Sequence, residues 1–235
     1  MNPISFSYDF SHILTWVIIA TGVVLFFFRV DDFIFNLAFW GMAARRAFRM
    51  RNFEKLTVGK LRSKPEQRIA IFIPCWHEAD VVDRMLDFAC RSIEYRNYDI
   101  FVGVYPNDPE TIERVHHIAQ THSQVHAVIN DTPGPTTKAQ NLNAMFRGMS
   151  ETEGRDQYQI VVLHDVEDII HPLSMLMYNY LMPNKEMVQL PVFPLERPWQ
   201  KWTAWTYADE FAENHMKDLI IREQIGGFVP SAGVG

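Results

Sequence analysis

The sequence predicts an α/β fold, a mostly parallel sheet with helices on both faces, preceded by one transmembrane helix. Three observations carry the prediction. Apolar runs of strand length recur between residues 68 and 165, each followed by a segment with helical spacing of its apolar residues. Polar and acidic residues gather just after those runs, where a parallel α/β sheet presents its ligand crevice. Near the start, Ile13 to Phe28 carry no charge and show none of this alternation.

The N-terminal apolar run reads ILTWVIIATGVVLFFF. Extended by Phe10 to His12 and by a snorkelling Arg29, it reaches the roughly 20 residues that a bilayer crossing needs. No Lys or Arg precedes it and no small-residue cleavage site follows, which argues against a cleaved signal peptide. The next apolar piece, 33-FIFNLAFWGMAA-44, is too short to span and leads into Arg45, Arg46, Arg49 and Arg51. It predicts a separate helix lying in the interface, with Trp40 near headgroup level. From Arg29 to Arg68 there are ten Lys or Arg against four acids, within a chain whose formal net charge is -6. That local basic patch beside an apolar segment suits anionic lipid headgroups, and nothing elsewhere has the basic-aromatic pattern of a nucleic-acid binder. The positive-inside rule then places residues 68 onward in the cytoplasm. The expected organisation is a transmembrane helix plus interfacial basic segment over 1–51, a linker over 52–67 and an α/β domain over 68–235. Cys75 and Cys90 fall inside a strand and a helix, where they read as small buried hydrophobes.

Within the domain, RIAIFIPC (68–75) is suited to a central strand, and Val81, Val82, Met85, Leu86 and Ala89 repeat at helical spacing behind it. The unit recurs as DIFVGVYP (99–106) before a helix near 109–122, and as VHAVIN (125–130) before a loop and a helix near 139–150. QIVVLHD (159–165) leads into a helix near 172–181. Residues 199–226 read as one long helix on which Trp199, Trp202 and Trp205 form an aromatic face, suited to core packing, a membrane interface or sugar stacking. Asp209, Glu210 and Glu213 share that segment, but no spacing assigns them a catalytic role.

The acids Asp165, Glu167 and Asp168 repel one another when ionised, so a cation is the economical reason to gather them at a strand end. Hard oxygen ligands there suit Mg2+ or Mn2+ bridging a diphosphate. In an extended segment, alternate residues point the same way, which puts Asp165 and Glu167 on one side. His164 and His171 flank the cluster but match no catalytic zinc spacing. A second element, 132-TPGPTTK-138, holds a loop open with prolines and a glycine and sets Lys138 at the start of a helix, a good seat for phosphate oxygens. It is not a Walker loop, because no glycine precedes Lys138 and Ala139 stands at the Ser/Thr position.

The ordered set IPCWHEAD (73–80), NDPET (107–111), TTKAQNLN (136–143) and HDVEDIIHP (164–172) resembles the family-two glycosyltransferases of GT-A fold, over roughly residues 68–235. The resemblance implies that Pro74 and Glu78 lie by the nucleotide, that Asp108 contacts the base and that Lys138 lies near the donor. It also implies that Asp165 with Glu167 binds the metal and diphosphate, Asp168 being the alternative second ligand. The implied activity is metal-dependent, inverting transfer from a nucleotide-diphosphate sugar, a UDP-sugar, to a glycan or polysaccharide acceptor. By the same resemblance the protein is expected in a bacterial inner membrane, with its catalytic domain cytoplasmic and an export or receptor partner at the outer membrane. The segment 226-GGFVPSAGVG-235 resembles the loop beside the acceptor site in membrane-bound members. Those relatives draw their catalytic base from a TED-like motif further on, so the base is expected beyond Gly235 and the catalytic residue is left unassigned. The rival expectation is a non-catalytic membrane component of a receptor assembly that keeps the transferase fold. A nucleotidyltransferase fits less well, because the first strand ends in PCWHEAD and not in a glycine-rich signature.

Overall fold

The computed structural model describes residues 3–154, 157–195 and 198–231. They form two compact units, one from Met1–Glu54 with Phe193–Pro230, the other from Lys55–Val192 with Ser231–Gly235.

In the first unit, α1 (Pro3–Arg49) runs unbroken for 47 residues, about 70 Å at 1.5 Å per residue. Its stretch Ser11–Asn52 is long and apolar enough to cross a membrane, and the apolar side chains from Ile13 to Phe28 stand exposed. The separate interfacial helix expected over 33–44 is corrected here, since those residues continue α1. No proline interrupts them, and Asn36 Nδ2 donates back to the Asp32 carbonyl at 2.9 Å, a bond that fits an unbroken helix. The helix expected over 199–226 is also corrected. It begins later, as α7 (Trp202–Glu213), and a π turn (Asn214–Asp218) separates it from α8 (Leu219–Gln224). Lys217 in that turn donates to Asn36 Oδ1 of α1 at 3.3 Å. Trp199 and Trp202 are 72% and 75% exposed, so neither is packed in the core of this unit.

The second unit is the α/β body. After the short helix α2 (Val58–Leu61), it holds β1 (Ile69–Pro74), α3 (Val82–Ser92), β2 (Tyr98–Val104), α4 (Pro109–Thr121), β3 (Val125–Ile129), α5 (Lys138–Glu153), β4 (Ile160–Leu163) and α6 (Ser174–Leu181). The strands are parallel, in the order β3-β2-β1-β4. Alternation along β1 builds two cores. Ile69, Ile71 and Ile73 pack with α3, α4 and α6 on one face, while Ala70 and Phe72 pack with Phe101 and with Met145 and Met149 of α5 on the other. Because β2 and β3 lie to one side of β1 and β4 to the other, the order reverses between β1 and β4, and the crevice at their carboxyl ends is the switch point.

The expected linker 52–67 is partly tied down. Thr57 caps α2 by accepting the Lys60 N–H at 3.3 Å, and Leu61 is buried. Asn179, fully buried on α6, accepts the Gln67 N–H at 3.1 Å and donates to the Pro65 carbonyl at 3.1 Å.

Candidate functional site

Three chain segments meet at the carboxyl ends of the strands. Past β1, the Cys75 N–H still donates to the Gly103 carbonyl at 2.8 Å, and the chain then turns at His77, whose φ of 57° lies in the left-handed region. That turn presents the His77 N–H to Asp108 Oδ2 at 2.7 Å and the Glu78 N–H to Thr111 Oγ1 at 3.1 Å. A non-glycine residue in this conformation is strained, and these bonds hold it there. Asp108 is 3% exposed and caps α4, accepting the Thr111 N–H at 3.4 Å. Burial pushes its carboxyl up, but bonds from Thr111 and from the His77 N–H, with the His77 ring 3.6 Å away, outweigh burial and hold it below the usual carboxylate range. As placed, Asp108 orders the His77–Glu78 turn, and both its oxygens already accept hydrogen bonds.

The second segment is the loop ahead of α5. Gly134 exchanges two hydrogen bonds with the Asn107 side-chain amide, its N–H donating at 2.7 Å and its carbonyl accepting at 2.8 Å. Its backbone rests on the Trp76 ring, and a Cβ there would stand 2.3 Å from a ring carbon. Tyr105 and Thr136 share a hydroxyl bond of 2.6 Å, and Thr137 caps α5 by accepting the Gln140 N–H at 3.2 Å. On the buried side of α5, Asn141 donates to the Gly103 carbonyl at 3.1 Å and accepts from Asn130 at 3.0 Å. Lys138 therefore begins a helix anchored at both the loop and the sheet.

The third segment follows β4. The His164 N–H donates to the Phe72 carbonyl at 3.0 Å, after which residues 165–168 form a turn. The extended geometry expected for Asp165 and Glu167 is corrected accordingly. Asp168 donates its N–H to the Asp165 carbonyl at 3.1 Å, and its Oδ2 accepts the Asp165 N–H at 3.0 Å. Burial acts to raise the Asp168 carboxyl, but bonds from His164 and the Asp165 N–H, with the charges of His164 and Lys138, hold it below the usual range. Asp168 thus closes the turn, while Glu167 stays exposed and Asp165 Oδ1 meets Lys138 Nζ at 2.5 Å. Glu78, at the end of β1, is pushed above the usual carboxylate range by burial first and then by the charges of Glu167 and Asp108. Acids from both sides of the switch point therefore border one crevice. A separate apolar cavity lies along β4, lined by Val161, Leu163, Tyr178 and Met187 among others, and holds none of these acids.

The family description "Glycosyltransferase like family 2" matches residues 65–235. The chain belongs to the family-two glycosyltransferase-like proteins. It is 37% identical over 222 residues to bacteriophage adsorption protein B of Escherichia coli (strain K12), covering 93% of this chain and 30% of that protein. The same figures hold for bacteriophage N4 adsorption protein B of Escherichia coli O157:H7. The chain thus spans 30% of the length of these curated relatives. Among solved structures, the mannosyltransferase PcManGT from Pyrobaculum calidifontis, in complex with GDP-Man and Mn2+, is 18% identical with a TM-score of 0.43, over 83% of this chain and 57% of that one.

The carboxylates at these strand ends are hard oxygen donors. No group of three or more His, Cys, Asp or Glu among the described residues is gathered closely enough to hold an ion unaided. Asp165 and Glu167, the less buried of these acids, are of the donor type that fits a small divalent cation. Pro74, the last residue of β1, and Glu78 stand on the β1 side of the crevice, Asp165 and Lys138 on the other. Sequence reasoning placed Asn107 at a strand end without giving it a partner, and missed the roles of Thr111 and Asn141 and the Trp76–Gly134 contact. The one available signal was Asp108-Pro109-Glu110-Thr111, a capping residue followed by proline at the first helical position.

Proposed function

We propose that this chain carries the donor half of a membrane-anchored glycosyltransferase, taking a sugar from a nucleotide-diphosphate sugar, a UDP-sugar first, and passing it with inversion to a glycan acceptor. The observation that carries the reading is the Lys138–Asp165 pair, 2.5 Å apart at the switch point of a family-two chain. In such a transfer, the acceptor oxygen forms a bond to the sugar C1 as the C1–O bond to the diphosphate breaks on the opposite face, and the acceptor hydroxyl proton passes to a base. Lys138 and the N-terminal end of the α5 dipole receive the negative charge that collects on the departing diphosphate. Asp165 and Glu167 would hold a Mg2+ or Mn2+ ion, which when bound neutralises more of that charge. Pro74, the His77 turn and Glu78 border the nucleotide, with Asp108 holding the turn in shape. None of the described acids is assigned as the base.

The exposed apolar run of α1, followed by Arg45, Arg46, Arg49 and Arg51, supports anchorage in a bacterial inner membrane, with the α/β unit on the cytoplasmic side and anionic lipid beside it. A second reading is favoured by the 37% identity to adsorption protein B: a non-catalytic component of a phage-receptor assembly, with an outer-membrane partner, that keeps the transferase fold. Calorimetric titration of UDP and GDP into the full chain in detergent tests the first reading. Binding is expected only with Mn2+ or Mg2+ present, and Asp165→Ala is expected to abolish it. Binding indifferent to the metal would sink the scheme. For the second reading, Asp165→Ala would leave phage adsorption intact, whereas a required transferase activity would make the variant resistant.

A further inference from the structure

We infer that Lys138 is a gate on the donor site, a side chain that occupies Asp165 until a diphosphate draws it away, so that cation and nucleotide bind as a coupled pair. The inference rests on the donor-site reading above and adds an order of events to it. Four acids besides Asp165 stand at this end of the sheet: Glu78, Asp108, Glu167 and Asp168. Left to themselves they would attract a divalent ion without any nucleotide. The structure disarms the group in three places. Asp168 Oδ2 closes the turn by accepting the Asp165 N–H at 3.0 Å, and Asp108 is buried with both oxygens accepting hydrogen bonds. Asp165 itself is held by the Lys138 ammonium at 2.5 Å.

Of these three arrangements only the last can be undone cheaply. Releasing Asp108 or Asp168 would break backbone bonds that shape the His77 turn and the 165–168 turn. Lys138 and Asp165 are 42% and 35% exposed, and a half-solvated ion pair of this kind contributes little stability. The lysine sits at the first position of α5 on a flexible four-carbon stem, so it can leave Asp165 while the helix stays in place. A diphosphate offers the ammonium more negative charge than one carboxylate does. Once Lys138 turns to it, the Asp165 carboxylate would be left to a divalent cation. Linkage then requires nucleotide to tighten the cation by the same factor as cation tightens the nucleotide.

Mn2+ binding, followed through the electron-spin-resonance signal of the free ion, tests the gate on the full chain in detergent, with and without UDP or GDP. In the wild type, nucleotide is expected to tighten Mn2+ binding by about tenfold or more, and Mn2+ to tighten nucleotide equally. Lys138→Met is expected to bind Mn2+ alone about fivefold more tightly than wild type, the worth of one exposed ion pair, and to show a smaller coupling. Lys138→Arg keeps the ion pair and is expected to keep the wild-type pattern. The gate is overturned if Lys138→Met leaves the affinity for Mn2+ alone unchanged while nucleotide binding still needs the metal. If neither nucleotide binds with Mn2+ present, the donor-site reading itself fails, and the gate with it.

Discussion

Asp99, at the start of β2, shows how much of this fold is settled by single carboxylates. Its Oδ2 accepts from Arg68 Nη2 at 2.8 Å and from the Tyr158 hydroxyl at 2.8 Å, and its Oδ1 lies 3.1 Å from His126 Nε2. Burial acts to raise its carboxyl, but the bonds from His126, Tyr158 and Arg68, with the Arg68 charge, outweigh it and hold the group below the usual range. A folded-state pKa below the unfolded one means that this contribution is complete above the unfolded carboxylate value of about 3.9. It is lost as pH falls through the folded value. The melting temperature is therefore expected to drop on acidification below about pH 4, and Asp99→Asn to lose roughly 1–3 kcal/mol at neutral pH and to flatten that acid limb. Melts of both proteins from about pH 2 to 7 check it. At this scale the sequence was least legible. The run Asp165, Glu167, Asp168 marks acids at a strand end, but which of them folds inward depends on the Asp165 N–H, which selects Asp168. In the same way, the hydrogen bonds around Asp108 depend on Thr111 and His77 arriving from two different strand ends.

The elements were more legible, because burial imposes a period on the sequence that single contacts do not. All four strands and the helices α3 to α6 lie where their apolar spacing put them. The misses have local causes. Nothing in the composition of residues 29–44 breaks a helix outright, so α1 runs through the polar turn around Asp32. A π turn such as Asn214–Asp218 has no apolar period of its own. Packing between elements yields a sharp contrast of glycines. At Gly103, on central β2, a Cβ would stand 2.0 Å from Asn141 Oδ1 and 2.9 Å from Met145 Cγ, whereas at Gly59 its nearest neighbour would be 3.9 Å away. Gly103→Ala is expected to destabilise the α/β unit by about 1–3 kcal/mol by forcing α5 off the sheet, and Gly59→Ala to be nearly neutral. Urea unfolding of the two variants separates them. Gly134→Ala places its Cβ into the Trp76 ring and is expected to weaken nucleotide binding more than it lowers the melting temperature, because the displaced loop leads into Lys138. A titration of UDP with Mn2+ into that variant, set beside its melting curve, reads the two effects apart.

At the scale of the whole molecule, a parallel sheet with a reversal between β1 and β4 gathers residues that lie far apart in sequence, Glu78 and Asp165 among them, at one end of the strands. The sequence showed this grouping only as four spaced motifs, and the family match over residues 65–235 rests on the same part of the chain. The apolar length of α1 carries its own expectation. Sixteen uncharged residues from Ile13 to Phe28, exposed in the folded chain, should hold the protein in a bilayer through an alkaline carbonate wash. Recovery in the supernatant would mean that α1 does not span.

The central claim, a cation–diphosphate site at the β1–β4 switch point, can be located directly with fluorine. Of the six tryptophans, Trp76 alone belongs to the strand-end loops, packed against Gly134 and Tyr105 just past β1. In protein labelled with 5-fluorotryptophan, with the Trp76 resonance assigned through Trp76→Phe, adding Mn2+ together with UDP or GDP should broaden that resonance strongly. Asp165→Ala should leave it sharp. Bound nucleotide and Mn2+ with an unchanged Trp76 line would place the site elsewhere and contradict the account.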